Sequence, residues 1–400
     1  MKSEEGEPGS EPMIRPPRLH LGREGTASRL ELFFDLAYVL LIMQLVIAFV
    51  DDLSWAGLAQ LTGLFIAIWF SWVAFTLYAN RFDTDDLIFR LAKLLATGAI
   101  AGCAASAADA VGSKAVPFAL CYLASRLIVF ALYLRAWRHV QDARPTINVY
   151  LIMIGTSSVL WAVSVFTPGD LRYWLWGIAV VVDAIGPALA TLRRDKLPLQ
   201  IEHLPERFAL LVILVLGEAV GGGVRGVHES GWAPAGVAVA AIGFVLAAAM
   251  WWIYFDIGAR GSADELEEAE EESGPDEEAV DERHDLFVYG HLPTTFGIVL
   301  AGVGIEELVL HPDEPLPSAY GWLLAVGIGL FLAGVAMILG GTQRSWRAVW
   351  PWPLAAVPLV PILALLPISP LLPGTALVLT GLYAVLLVAL AVIGTLRSRR

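Results

Sequence analysis

A succession of long apolar runs, broken only by short stretches of charge, proline and glycine, limits this chain more than any other feature. A run near 20 residues spans the hydrocarbon of a bilayer as an α-helix, whereas a membrane barrel strand is about 10 residues long and alternates in polarity. Twelve runs can be marked, at 30–50, 57–79, 91–111, 116–135, 147–167, 172–192, 207–223, 234–257, 286–308, 319–341, 349–368 and 372–396. Only 16% of the residues are charged, against roughly 25% in soluble domains. The expectation is an all-α polytopic membrane protein of about twelve transmembrane helices, with the lipid bilayer as its main partner. The seventh run is short and ends in Gly221-Gly222-Gly223, which could unwind it.

The net charge of -13 is a local matter. Thirteen Asp and Glu and one Arg fall between Asp264 and Asp285, inside a segment 259–285 read as an acidic linker or helix. The rest of the chain is nearly neutral, and the balance argues against nucleic-acid binding. Lys and Arg set the orientation. With the N-terminus inside, 22 of the 26 fall in cytoplasmic segments; Lys114, Arg172 and Arg225 fall outside and Arg126 within the membrane. Both termini are then expected in the cytoplasm. Residues 1–29 are polar and Pro-rich with no apolar core, so the first membrane helix is expected to act as the insertion signal. Cys103 and Cys121 lie in apolar runs and read as small core filler.

The chain also repeats. Arg135-Ala-Trp137-Arg138 follows the fourth run and Arg344-Ser-Trp346-Arg347 the tenth. Thr191-Leu-Arg193 matches Thr395-Leu-Arg397, Tyr78-Ala-Asn80 matches Tyr254-Phe-Asp256, and Glu31-Leu-Phe33 matches Glu206-Arg-Phe208. Their common order predicts two six-helix repeats, 30–198 and 199–400, related by an axis along the membrane normal.

Charges in hydrocarbon persist mainly when paired, hydrated or used. Glu31 and Asp35 sit four residues apart on one helical face at the start of the first run, with Tyr38 near that face as a hydroxyl donor to a carboxylate. Arg126 is mid-span in the fourth run and needs an acidic partner, for which Asp183 and Glu218 lie at comparable depth. These six residues form the candidate intramembrane polar site. Glu206, Arg207, Asp256 and His291 are secondary candidates; the bland reading of His291 is a cap on an interfacial helix. Glu306 and Glu307 read as interfacial, and Asn80 to Asp86 as a solvated turn rather than a metal cluster. No HExxH, GxSxG, P-loop or dinucleotide-binding glycine pattern appears in a suitable context, so neither an enzyme nor a cofactor is expected.

The stretch Arg29-Leu-Glu31-Leu-Phe33-Phe34-Asp35-Leu resembles the bacterial low temperature requirement protein A family. So do Glu202-His203-Leu-Pro-Glu206-Arg207-Phe208 with Leu216-Gly217-Glu218, Trp251-Trp252-Ile-Tyr254-Phe-Asp256 and Tyr289-Gly-His291-Leu-Pro293. The resemblance implies a multi-spanning protein of the bacterial plasma membrane and a link to growth in the cold; it implies no reaction. Arg29-x-x-x-Phe33-x-Asp35 is also similar to the R-x-x-x-F-S-D signature of a potassium-channel family, with Phe34 in place of Ser. Two functions compete: a transporter or channel for an ion or small solute built on the buried charges, and a non-transporting sensor or scaffold in stress or cold response.

Overall fold

The computed structural model describes residues 13–19, 28–83, 85–191, 204–258, 277–313, 318–342, 356–365 and 376–398. Its helices are α1 (Arg29–Asp51), α2 (Trp55–Arg81), α3 (Leu87–Ser106), α4 (Ala115–His139), α5 (Arg144–Phe166) and α6 (Leu171–Thr191). They continue as α7 (Leu204–Glu229), α8 (Pro234–Trp252), α9 (Glu277–Leu310), α10 (Ala319–Thr342), α11 (Leu359–Leu365) and α12 (Ala376–Ser398). A π-helical stretch, Ile253–Gly258, prolongs α8. Among the described residues, eleven helices are long and apolar enough to cross a membrane. Most of the expected span 349–368 lies outside the described residues, which hold only α11 there. So does most of the acidic segment; its residues 277–285 form the first turns of α9.

Local chemistry fixes where the helices begin. Ser28 opens α1 with a capping box: its hydroxyl accepts from the Glu31 amide at 3.3 Å, and the Glu31 carboxylate accepts from the Ser28 amide at 3.0 Å. Ser54 caps α2 and Asp86 caps α3, while prolines fill the first turns of α5 and α8. The outward faces remain apolar: Phe33, Leu40, Leu95, Phe166, Phe244 and Val385 are all exposed, as a lipid-facing surface requires.

Helix neighbours follow a regular order. In the first six helices α1 packs on α2 and α3, α3 on α4, α4 on α5, α5 on α6, and α2 on α4 and α6. In the last six, α7 packs on α8 and α9, α9 on α10, α10 on α11, α11 on α12, and α8 on α12, with its π stretch against α10. The α8–α9 contact is an additional one. The two halves meet where α1, α2 and α6 touch α7 and α9.

The tightest pair is α9 with α10, and glycine makes it possible. Gly290, Gly297 and Gly304 recur every seven residues on α9 and face Ile338, Phe331 and Leu324, which share that spacing on α10. A Cβ at Gly297 would lie 2.5 Å from the Phe331 amide nitrogen and 2.6 Å from the Gly327 carbonyl oxygen. Small residues let backbones touch, which is the main packing force left once water is absent.

Two prolines lie inside helices, and side-chain hydroxyls bond the backbone beside each. Below Pro293 in α9, the Thr294 and Thr295 hydroxyls donate to the Gly290 and His291 carbonyls at 2.8 and 2.7 Å. Beside Pro187 in α6, Tyr289 of α9 donates its hydroxyl to the Ala184 carbonyl at 2.6 Å and accepts from the Ala188 amide at 3.3 Å. One side chain of the second half thus completes the backbone of the first.

The seventh helix corrects the sequence expectation. It runs 26 residues and stays helical through Gly221-Gly222-Gly223. Of the three, Gly222 serves close approach, with Gly226 one turn on: a Cβ at Gly222 would meet the Glu306 carboxylate at 2.8 Å, and one at Gly226 the Glu306 carbonyl at 3.0 Å. Gly297→Ala should therefore lower the thermal midpoint of the detergent-purified protein, by the equivalent of about 1–3 kcal/mol of overpacking. Gly329→Ala, whose Cβ meets nothing within 4 Å, should leave it within error.

Candidate functional site

The buried charges fall into three clusters. At the N-terminal end of α1, Asp35 is 0% exposed and is bound by two donors on one oxygen. Trp72 Nε1 of α2 donates to Asp35 Oδ1 at 2.8 Å, and Arg207 Nη2 of α7 donates to the same atom at 3.0 Å. Arg207 Nη1 also stands 3.8 Å from Glu31 Oε2. Asp35 Oδ2, Arg207 Nε and Arg207 Nη1 are buried with no hydrogen-bond partner among the described residues. Although Asp35 stands at the start of the first run, α2 and α7 close over it, and Arg207 takes the place of water. Because α1 belongs to the first half and α7 to the second, this pair ties the halves together.

Lys93 of α3 completes the cluster, and the sequence reading missed it. Its ammonium is 0% exposed and has no hydrogen-bond acceptor among the described residues. It rests 3.9 Å from the ring centre of Phe34, with Phe75 at 5.3 Å and Phe89 at 5.9 Å. Glu31, Asp35 and Arg207 are the charged groups that act on it. A basic residue near the start of a span reads as ordinary flanking charge; one turn further in than Arg90, it is held inside the bundle.

The second cluster lies within the first half. Arg126 Nη2 of α4 donates to Asp183 Oδ1 of α6 at 2.5 Å, and Ser157 of α5 donates to Asp183 Oδ2 at 2.8 Å. This is the acidic partner the sequence demanded for Arg126. Tyr38 does not serve a carboxylate. Its hydroxyl bonds Ser71 Oγ at 3.0 Å, because α2 rather than an acidic group faces it at that level.

The third cluster lies at the opposite end of α7. Arg225 Nη2 bonds Glu218 Oε1 at 2.9 Å, while its Nε and Nη2 bond the two oxygens of Glu306 on α9 at 3.0 and 2.8 Å. Glu218 therefore belongs with Arg225, not with Arg126. Arg225 is part of α7 rather than of a loop, and Glu306 and Glu307, one turn from the end of α9, are buried among the helices.

The remaining candidates have structural settings. His291 is fully buried: Nδ1 meets the Phe287 carbonyl at 2.6 Å and Nε2 meets the Tyr254 hydroxyl at 2.9 Å. A carbonyl only accepts, so Nδ1 carries the proton and Nε2 accepts from Tyr254. It is a satisfied core histidine rather than an interfacial cap. Glu206 is exposed, and Asp256 is half-buried on the π stretch. The turn after α2 is solvated only in part: Asp85 is exposed and pairs with Arg90, whereas Asn80, Arg81 and Asp86 are buried. Arg135 Nη2 of α4 donates to Asp86 Oδ2 at 2.7 Å. Burial would raise the Asp86 carboxyl, but hydrogen bonds from Arg135 and from the Phe89 and Arg15 amides outweigh it and hold it below its ordinary value. Among the described residues no group of His, Cys, Asp and Glu is arranged to hold a metal ion.

Space near these clusters is limited. Between the halves, Tyr38, Phe65, Trp69, Trp72, Leu211 and Thr295 border a void of about 10 Å³, about one water at most. A larger groove of about 540 Å³ runs between α7 and α8 over Ile305, and its walls are almost wholly apolar.

Comparison with known proteins completes this description. Residues 26–392 match the family model described as "Bacterial low temperature requirement A protein (LtrA)". The chain belongs to that family. It is also 34% identical, over 326 residues, to an uncharacterized protein of Rhizobium meliloti (strain 1021), a match covering 77% of this chain and 76% of that one. No solved structure matches. As a low temperature requirement A family member with these helices, the chain is an integral membrane protein in contact with lipid.

Removing one partner of a buried ion pair leaves the other unpaired and costs about 3–5 kcal/mol, whereas replacing both with apolar groups is far milder. Asp183→Asn should therefore markedly lower the thermal midpoint in detergent, and the double variant Arg126→Met/Asp183→Leu should recover most of the loss.

Proposed function

We propose that this low temperature requirement A family protein is a transporter or channel for an ion or small solute, and not an enzyme. The observation that carries this reading is the buried Asp35–Arg207 pair across the seam between the halves. A bundle in lipid can pack on small residues alone, as α9 and α10 do, so a charged seam is an expense that packing does not require. The pair also leaves acceptor and donor atoms unmet, which a rearranged state or a bound ion would satisfy.

Two further features support it. The order of helix neighbours in the first half recurs in the second, as expected of two parallel six-helix repeats that rock against each other around a shared seam. The Lys and Arg distribution favours both termini, and with them the Asp35 cluster, on the cytoplasmic side. On this reading the structure is a closed state: the clusters around Arg207 and Arg225 shut the two ends of α7, and the narrow void lies between them.

A second reading, a sensor or scaffold in stress or cold response, is favoured by that void, which is too small and too apolar for a conducting path. Flux separates the two. Purified protein in liposomes should pass a common cation, anion or proton at least tenfold faster than empty vesicles, and Asp35→Asn should reduce the rate by a comparable factor. Parent and variant vesicles as tight as empty ones would leave the scaffold reading.

A further inference from the structure

Each half holds one buried basic group in an aromatic box of the same design. In the first, Lys93 lies one turn after Phe89 on the third helix, with Phe34 from the first helix and Phe75 from the second. In the second, His291 lies one turn after Phe287, with Phe208 of α7 at 4.4 Å and Tyr254 of α8 at 5.7 Å between ring centres. Both basic groups are 0% exposed. Their hydrogen bonding differs. Both nitrogens of His291 are engaged, whereas Lys93 Nζ has no acceptor among the described residues. The carboxylates differ too: Asp35 follows Glu31 in the first half, and Leu210 takes its place in the second.

Charge balance then gives the Lys93 box a role. The cluster contains Glu31, Asp35, Lys93 and Arg207, which sum to zero when all are ionised. A buried net charge is strongly disfavoured, so the sum must stay near zero. Arginine keeps its proton in proteins, whereas lysine can give its proton up. Loss of the Lys93 proton leaves one negative charge, centred on carboxylates of which Asp35 still offers an unmet buried oxygen, Oδ2. A single positive charge at that oxygen restores neutrality; a divalent ion would overshoot it. The aromatic box suits both states of Lys93, since ring faces attract the ammonium and ring bodies enclose the neutral amine. Glu31, with 15% of its side chain exposed, marks the side from which water and ions arrive.

We infer that a monovalent cation and the Lys93 proton exchange at the Glu31/Asp35 cluster: as the cation binds beside Asp35 Oδ2, one proton leaves Lys93 Nζ for solvent, and the reverse step restores it. This deepens the transport reading and rests on it, naming the cargo as a monovalent cation exchanged for a proton. The second half, lacking the carboxylate, provides no second site, so the stoichiometry is one cation and one proton per chain.

Binding of ²²Na⁺ and ⁸⁶Rb⁺ to the detergent-purified full chain tests this between pH 5 and 10. Apparent affinity for at least one of them should weaken tenfold per pH unit on the acid side of the Lys93 titration, the linkage of one proton to one cation. In weakly buffered solution, addition of NaCl or RbCl should release one proton per bound cation from the parent protein. Lys93→Met should bind the cation with no dependence on pH, and Asp35→Asn should lose binding. The proton-release measurement needs only the parent chain, so it stands if a variant fails to fold. Cation binding without pH dependence, no proton release, or equal proton release on adding MgCl₂ would overturn the inference. Ion flux in liposomes without pH-linked binding would keep the transport reading and remove the exchange. Linked binding without flux would keep the exchange site and remove transport.

Discussion

A charge in hydrocarbon must bring its partner with it, and this bundle is arranged around that rule. Arg126 finds Asp183, Arg225 finds Glu218 and Glu306, and Arg207 finds Asp35 and Glu31. In each cluster an arginine is the bridge, because a planar fork of donors can serve two carboxylate oxygens, or two carboxylates, at once. The arginines differ in reach. Arg126 joins neighbours within the first half, Arg225 joins neighbours within the second, and Arg207 crosses between them. The first two tie helices within one half, and the third ties the first six helices to the last six.

Around Arg207 the seam is otherwise apolar and aromatic. Phe208 packs edge-on against Trp72 at 5.1 Å and lies over His291, while Phe65 meets Phe296 at 4.9 Å. Such contacts carry no charge, whereas breaking the Asp35–Arg207 pair would leave two buried charges without partners. The Tyr289 hydroxyl beside Pro187 is the seam's other polar element, and it involves no charge.

Sequence makes depth legible and azimuth much less so. Helix positions followed from run length, and the need of Arg126 for an acid followed from its depth alone. Asp35 stood out because four-residue spacing put it on the face of Glu31. What one sequence leaves open is which helix covers a given face. Tyr38 shares a general direction with Asp35, but only the packed bundle reveals that Ser71 fills the space beside it. Lys93 was missed for the same reason, its depth being unexceptional and its enclosure a product of three helices. Gly221-Gly222-Gly223 reads as a helix breaker because glycine is poor in isolated helices, yet here the helix continues, and at Gly222 the neighbouring α9 lies too close for a Cβ. The seven-residue recurrence of Gly290, Gly297 and Gly304 is the one missed signal that was present in the sequence itself.

That recurrence has a thermal consequence. Contacts driven by release of water lose strength on cooling. Inside a bilayer there is little water to release, and α9 and α10 adhere instead through dispersion between backbones brought together by absent side chains. Dispersion is enthalpic and does not fade as temperature falls. This joint thus keeps its grip in the cold.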